Sequence, residues 1–271
     1  MIRGVLVKSF WESNLPTLLF GIALFLVMAI LTFVIPQLQK EIGQALAQLP
    51  FAKSFLAALL GIDVDQEMTA QVLQSVVWVH PAVLALVWAH EIVFCTRIPA
   101  AEIDRGTIDV LLGLPVSRRS LYVAETLMWL ATGCVVLAMG SAGYFVSAQR
   151  ILPELRPGLD RVLMVLANLF GVYVAVGGLA FLVSACNSRR GPAIALVFTL
   201  VLASFLLTFL ARFWTPAQQL EFLSVLHYYQ PAQVLRTGNL PVRDLAALGL
   251  AGALAWTAGC EVLARRNICT V

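Results

Sequence analysis

The chain has 271 residues, of which 60% are hydrophobic and only 12% are charged, and its mean hydropathy is +0.88. Soluble domains carry about 25% charged residues, so this composition excludes a soluble globular protein and indicates an integral membrane protein. The net charge is only +3 and the three lysines are widely scattered, which also excludes a polybasic nucleic-acid-binding protein.

Six apolar runs are long enough to cross a bilayer, which takes about 20 helical residues. An even number of spans places both termini on one side of the membrane. No small-residue cleavage pattern follows the first run, so we expect that run to be retained rather than removed as a signal peptide. The runs are Leu15–Ile35, Val72–Phe94, Leu121–Val146, Val162–Cys186, Pro192–Phe213 and Leu245–Leu263.

The distribution of arginine and lysine predicts cytoplasmic termini. With the N-terminus inside, the inner segments hold ten basic residues and the longer outer segments hold eight. None of the five cysteines lies in an outer segment, and no two have the spacing of metal ligands. We therefore expect neither an extracellular disulfide framework nor a metal site.

The first 14 residues are predicted to form a short amphipathic helix in the inner headgroup layer. Apolar residues recur every four positions from Ile2 to Phe10, with charged residues between them. Asn14 and Pro16 are expected to turn the chain into the first span. The alternative is that these residues extend the first span into the cytoplasm.

The first outer segment, residues 36–71, contains two apolar stripes followed by an acidic patch, Asp63-Val-Asp65-Gln-Glu67. The glycine and the terminal glutamate of a calcium-binding EF-hand loop are missing. A pair of surface helices with a charged turn is therefore the favoured interpretation.

The inner segment 95–120, between the second and third spans, carries most of the functional information. Gly106 permits a sharp bend, Thr107 can cap a short helix over Ile108–Leu112, and Gly113 can end that helix. A segment that only joins two spans needs a few polar residues. This one has dense charge and two exposed leucines, so we expect it to dock against another protein.

This inner segment resembles the motif of the type-2 ABC transporter permeases, in which an acidic residue precedes a Gly-Thr pair, two leucines and Pro-Val-Ser-Arg. The resemblance extends to the six spans and to Tyr228-Tyr229-Gln-Pro231 before the last span. The matching inner positions are Glu102, Gly106, Thr107, Leu111, Leu112, Pro115, Val116, Ser117 and Arg118, with Asp104 and Arg105 inside the motif.

The resemblance implies an all-α integral membrane fold with a single permease domain over residues 1–271. Segment 95–120 would be a cytoplasmic coupling helix that fits a groove on a separate ATPase subunit. Segment 214–244, with Tyr228, Tyr229 and Pro231, would form re-entrant helices that close the outer side. The protein would be the permease of an ABC exporter in the bacterial cytoplasmic (inner) membrane.

The working complex implied by this resemblance holds two ATPase copies, which bind ATP and magnesium, and a second permease copy in a homodimer. The chain itself would be a transport subunit that binds no cofactor and no nucleic acid and has no catalytic residues. The sequence of the chain independently supports the expectation that it has no ATPase site. A P-loop needs a lysine that follows a glycine, and no Gly-Lys pair occurs in the sequence.

Ionisable residues within spans are functional candidates, because a charge at the bilayer centre costs about 2.5–3.5 kcal/mol. The second span holds His80, His90 and Glu91. We interpret His90 and Glu91 as structural polar contacts near the inner headgroups rather than as a transport relay. His80, before Pro81, is expected to mark a kink, and all three are possible pathway residues. Glu125 and Glu261 are interpreted as headgroup-reaching or intersubunit pairs.

Small residues on two spans are expected to allow close helix packing. They are Gly171, Gly177 and Gly178 on the fourth span, and Gly249 with Ala253, together with Ala247, Ala251 and Ala255, on the last.

The remaining spans are uniformly apolar, which favours an apolar or amphiphilic cargo over a naked ion. Two other classes of function stay open. A freestanding secondary transporter or channel is favoured by internal repeats, and none is evident. A membrane-embedded enzyme needs a convergent nucleophile or metal set, and Ser141, His90 and the cysteines fall at different depths.

Overall fold

The computed structural model describes residues 2–37, 70–113, 115–151 and 156–267. This part of the chain contains helices and turns but no strand, and six of its helical segments are long and apolar enough to cross a membrane. The all-α, six-span prediction is therefore confirmed. The predicted surface-helix pair and acidic patch of the first outer segment lie outside the described residues.

The spans are formed by α1, by α2 together with α3, and by α6, α7, α8 and α11. Apart from the start of α1, they match the predicted runs to within a few residues. In chain order the helices are α1 (Ile2–Gln37), α2 (Ala70–Val79), α3 (Pro81–Cys95), α4 (Glu102–Asp104), α5 (Ile108–Leu112), α6 (Arg118–Ala148), α7 (Leu159–Cys186), α8 (Arg190–Leu210), α9 (Thr215–Leu220), α10 (Pro231–Thr237) and α11 (Val242–Arg265). The chain bends sharply at Arg97–Ala101, where Ile98 is extended (φ −126°, ψ 130°), and 3₁₀ turns cover Glu221–Leu223 and Val225–Tyr228.

The predicted turn at Asn14 and Pro16 is wrong, because α1 is continuous from Ile2 to Gln37. The alternative, an extension of the first span, is what the structure contains. Tertiary contacts explain the difference: Val5 is buried in a small apolar core, and Lys8 forms an ion pair with Glu102. These contacts hold the N-terminal turns in line with the span.

The predicted kink at His80 is confirmed. Helix α2 ends at Val79 and α3 begins at Pro81, the position at which a missing backbone N–H does least harm. His80 is the N-cap residue of α3, and its Nδ1 accepts a hydrogen bond from the Ala82 backbone N–H at 3.2 Å.

Two helix pairs have the most extensive contacts, α1 with α6 and α7 with α11, and α3 contacts α1, α6 and α7. Glycines permit close backbone approach within both pairs. Gly143 of α6 lies against the Phe25 backbone, and Gly178 of α7 lies against Gly252 of α11. A side chain at these positions would collide with the neighbouring backbone.

The small-residue prediction is confirmed on the fourth span and wrong in detail on the last. Gly178 is at a close helix contact, whereas Gly249 faces open space and Ala253 is exposed. Composition indicates that a close contact exists, but it does not specify which of several small residues makes that contact.

Both ends of the described chain lie at one end of the bundle, which we call the termini end. Lys8 of α1 contacts Glu102 in segment 96–117. Arg266 donates hydrogen bonds to the carbonyl oxygens of Ala185 and Asn187, at 2.8 and 2.9 Å. The short helices α9 and α10 follow the far end of α8 and lie at the opposite end.

Candidate functional site

The candidate site is segment 96–117, which lies at the termini end and contains the kink at Arg97–Ala101, then α4, a bend and α5. Gly106 has a φ of +70°, a left-handed conformation that glycine adopts without strain. The bend reverses the chain between α4 and α5. The predicted helix Ile108–Leu112 is confirmed, and Gly113 follows it as the C-terminal cap residue.

Glu102 is the centre of one polar cluster in this segment. Its side chain is buried, its Oε1 accepts a hydrogen bond from the Lys8 ammonium at 3.0 Å, and its Oε2 accepts one from the Thr107 hydroxyl. Thr107 occupies the N-cap position of α5 but makes no side-chain capping bond. The predicted cap is therefore wrong: Thr107 has helical backbone angles (φ −88°, ψ −5°) instead of the extended ones of a capping residue, and its hydroxyl is directed to Glu102.

The pKa of Glu102 reflects opposing influences. Burial raises the pKa of the carboxyl group, but the hydrogen bonds from Thr107 and Lys8 and the positive charge of Lys8 outweigh burial, so the pKa lies below its ordinary value. The carboxylate is therefore the form that holds α1 to this segment.

A carboxyl group with a lowered folded-state pKa stabilises the fold above the unfolded-state pKa and loses this contribution as the pH falls through the folded-state pKa. We expect Glu102→Gln to lower the thermal unfolding midpoint most at neutral pH. The difference from the wild type should shrink below the ordinary titration range of carboxyl groups. Thermal melts in detergent from neutral pH to about pH 3.5 measure this, and a pH-independent difference would contradict it.

A second polar cluster joins α1, α6 and the kink at Arg97–Ala101. The Arg97 guanidinium donates to Glu125 Oε2 at 2.7 Å, and the Ser9 hydroxyl donates to Glu125 Oε1. Arg97 also lies 4.5 Å from the centroid of the Phe94 ring. The prediction that Glu125 reaches headgroups or a second subunit is wrong, because its side chain is 2% exposed and its partner is in the same chain.

Glu261 is also paired within the chain. It forms exposed ion pairs with Arg119, at 2.8 Å, and with Arg265, at 3.1 Å. Glu261 is 45% exposed, which agrees with the expectation that it reaches the headgroups, and its intersubunit role stays a prediction.

The side of α5 that faces the bundle is apolar. Ile108 and Leu111 lie in a small core with Val5, Ile98 and Leu121. The expectation that Leu111 is exposed is wrong, since only 8% of it is accessible, and Leu112 is partly buried. A five-residue helix is too short for periodicity to show which leucine points inward.

The exposed residues of this segment therefore differ from the predicted ones, which were Leu111 and Leu112. Val110 is 71% exposed, and Asp104, Arg105 and Asp109 are exposed around it. We call these four residues the outer face. Val110 is thus exposed on a segment whose Ile98, Ile108 and Leu111 are buried.

The end of the segment is tied to the last span. Ser117 caps α6, with its Oγ accepting from the Ser120 backbone N–H at 3.1 Å. Arg118 donates to the carbonyl oxygens of Leu263, at 3.4 Å, and of Arg266. Pro115 is exposed and Val116 is partly buried. The motif positions thus include groups that fix the segment to the bundle as well as groups that face outward.

The pathway candidates occupy two different environments. His80 is a partly exposed helix cap, whereas His90 and Glu91 are fully enclosed in the bundle. The expectation that His90 and Glu91 reach headgroups is therefore wrong. Nε2 of His90 lacks a hydrogen-bond partner within the described part of the chain, and the polar contact of the Glu91 carboxyl group is with the Gly177 backbone.

Tyr173 connects this buried group to its surroundings. Its hydroxyl lies 3.2 Å from His90 Nδ1 and 3.1 Å from the Trp129 carbonyl oxygen. The Trp129 and Tyr173 rings stack with their centroids 5.0 Å apart. We call His90, Glu91, Tyr173 and Trp129 the buried polar cluster. Tyr173 was not predicted as a site residue, although the hydroxyl of a tyrosine in an apolar span is usually hydrogen-bonded.

The segment at the opposite end is held by polar contacts. Asn168 Nδ2 donates to the Tyr228 carbonyl oxygen at 3.0 Å, and Tyr229 Oη donates to the Trp78 carbonyl oxygen at 3.1 Å. Pro231 is buried at the start of α10. Asn168 was missed as well, although an asparagine within an apolar span is itself a signal of interhelical hydrogen bonding.

No family model, no curated protein and no solved structure matches this chain. The family resemblance accordingly rests on the residues of the chain alone. Among the described residues, no group of three or more His, Cys, Asp and Glu side chains could hold a metal ion.

Proposed function

We propose that the chain is the permease subunit of an ATP-driven ABC exporter, with its termini end in the cytoplasm of a bacterium and its spans in the cytoplasmic membrane. The proposal rests on one observation above the others: segment 96–117 combines an exposed outer face with fixed connections to the spans. A linker has no need of both features.

The ion pairs between this segment and the spans define how a displacement of its outer face would be transmitted to the bundle. Force applied to Val110 would reach α1 through the Glu102–Lys8 pair and α6 through the Arg97–Glu125 pair. Helix α3 runs directly into this segment at Cys95. The segment would therefore move three spans together, as rigid-body switching between two packings requires.

The motor in this proposal is a separate ABC ATPase, because the sequence has no Gly-Lys pair for a P-loop. Two ATPase copies would bind ATP and magnesium, and a second permease copy would complete a homodimer. The opposite-end segment that contains Tyr228, Tyr229 and Pro231 would serve as the outer gate. The apolar spans favour an apolar or amphiphilic cargo.

Val110→Asp tests the docking surface. Because Val110 is exposed, the substitution should leave the fold intact, yet it would place an unpaired charge in the interface. We expect at least tenfold less ATPase to co-purify when the chain is expressed with the ATPase encoded by a neighbouring gene. Asn267→Asp adds the same charge at an exposed position of the same end and serves as the control. Equal co-purification with both variants would contradict the proposal.

The buried polar cluster favours a second candidate, a freestanding proton-coupled carrier. Glu91 is 0% exposed and has no cationic partner among the described residues, and buried carboxyl groups of this kind occur in proton relays. A carrier would transport in proteoliposomes without ATPase, driven by a pH gradient, and Glu91→Gln would abolish that transport. An exporter would show no such flux.

A further inference from the structure

An apolar slot lies between α3 and α8. Its volume is about 520 Å³, which is within the range of ligand-binding pockets. The walls run from Pro81 to Val93 on α3 and from Ile194 to Phe205 on α8, and the lining side chains are aliphatic or aromatic. Such a slot within the spans favours a hydrocarbon ligand.

The slot has the length of one membrane leaflet. At about 1.5 Å per residue, each wall is roughly 16–18 Å long. Half of the hydrocarbon core of a bilayer is about 15 Å. Val93 and Ile194 lie near the termini end of their helices, so the slot begins close to that end, and on α8 it extends past the middle of the helix to Phe205.

Positive charge lies where the slot meets the termini end. The Arg190 guanidinium donates to the carbonyl oxygen of Val93, a wall residue, at 3.0 Å. Its Nε is buried and has no hydrogen-bond partner in the described part of the chain. Arg105 is close enough to interact electrostatically with Arg190, and Arg189 is exposed beside it.

The acidic groups nearby do not neutralise this corner. Asp104 accepts a hydrogen bond from the Arg190 backbone N–H at 3.2 Å, whereas Glu125 pairs with Arg97 and Glu102 pairs with Lys8. The described residues provide no ion pair for Arg105 or Arg189. Arg190 and Arg189 therefore have no ion pair in the described part of the chain, whereas Arg105 also interacts electrostatically with Glu102.

We propose that the slot binds an acyl chain of an anionic phospholipid from the leaflet at the termini end, with its phosphate group on Arg190. The apolar walls recognise the chain, and the guanidinium groups recognise the headgroup. A second copy of the protein could also cover the apolar walls, but it would not explain the excess positive charge at the slot's end. This inference does not depend on the exporter proposal, because the slot walls and Arg190 are not part of the outer face, although Asp104 and Arg105 lie next to both.

Photolabelling of the full chain in nanodiscs tests the site. The probes are phosphatidylglycerol and phosphatidylcholine that carry the same diazirine-labelled acyl chain. We expect phosphatidylglycerol to label residues 81–93 and 194–205, about fivefold more strongly than phosphatidylcholine does, which corresponds to one arginine near a membrane surface. Arg190→Gln should reduce this preference to near one, and Arg212→Gln, at the other end of α8, should not.

Two filling variants test the walls. Ala89→Phe and Ala85→Phe place a ring in the slot and should reduce labelling at least fivefold. Ala203→Phe adds the same ring at an exposed position of α8 outside the slot and should have no effect.

Three results would overturn the site. They are equal labelling by the two lipids, labelling that the filling variants leave unchanged, and a disulfide between two copies through Leu202→Cys in a background without other cysteines. The last result would show that a second copy occupies the slot. Failure of the exporter proposal would appear separately, as absent ATPase co-purification with lipid labelling intact.

Discussion

Arg97→Leu is expected to lower the free energy of unfolding by about 3–5 kcal/mol, because it leaves the buried Glu125 carboxylate without its cation. The ion pair has an N–O distance of 2.7 Å, and the side chains are 11% and 2% exposed. SDS titration followed by circular dichroism measures the change in detergent.

Two further variants isolate the pair. The double substitution Arg97→Leu with Glu125→Leu removes both charges and should restore most of the lost stability, because replacing a buried pair with apolar residues is often neutral. Arg119→Leu breaks the exposed pair with Glu261 and should cost about 1 kcal/mol or less. A double variant as unstable as Arg97→Leu would contradict the assigned role.

Gly252→Leu should separate α11 from α7. A Cβ atom on Gly252 would lie 2.6 Å from the Val174 carbonyl oxygen, so the two backbones must move apart. Overpacking of a tight contact costs about 1–3 kcal/mol, and we expect the upper end of that range because the collision is with backbone. The same SDS titration measures the change.

Gly249→Leu is the matched control for this contact. Gly249 lies on the same helix, but a Cβ atom there meets nothing within 4 Å. We expect its effect to stay within about 0.5 kcal/mol, as for other surface substitutions. If the two leucine variants were equally unstable, helix propensity or membrane insertion, and not the α7–α11 contact, would determine the effect.

The features that the sequence predicts correctly are those whose physical signal is a long apolar run or a local backbone preference. An apolar run of 20 residues has few interpretations other than a span, so all six spans were predicted. The helix break at His80-Pro81, the bend at Gly106 and the helix Ile108–Leu112 depend on local backbone chemistry, and the structure confirms each of them.

The positions of side chains whose partners are distant in the sequence could not be predicted. Glu102 is held by Lys8, 94 positions away, and Glu125 by Arg97, 28 positions away. No local pattern specifies either pair. The same contacts explain why α1 continues through Pro16 and why Leu111 points inward, since both outcomes follow from docking segment 96–117 onto α1.

The docking role of segment 96–117 is tested most directly by photo-cross-linking in intact cells that carry benzoylphenylalanine at position 110. We expect an ATP-binding subunit to be captured from position 110 but not from position 123, an exposed position on α6. Capture of lipid or of an exterior protein from position 110, while transport continues, would contradict the proposed function.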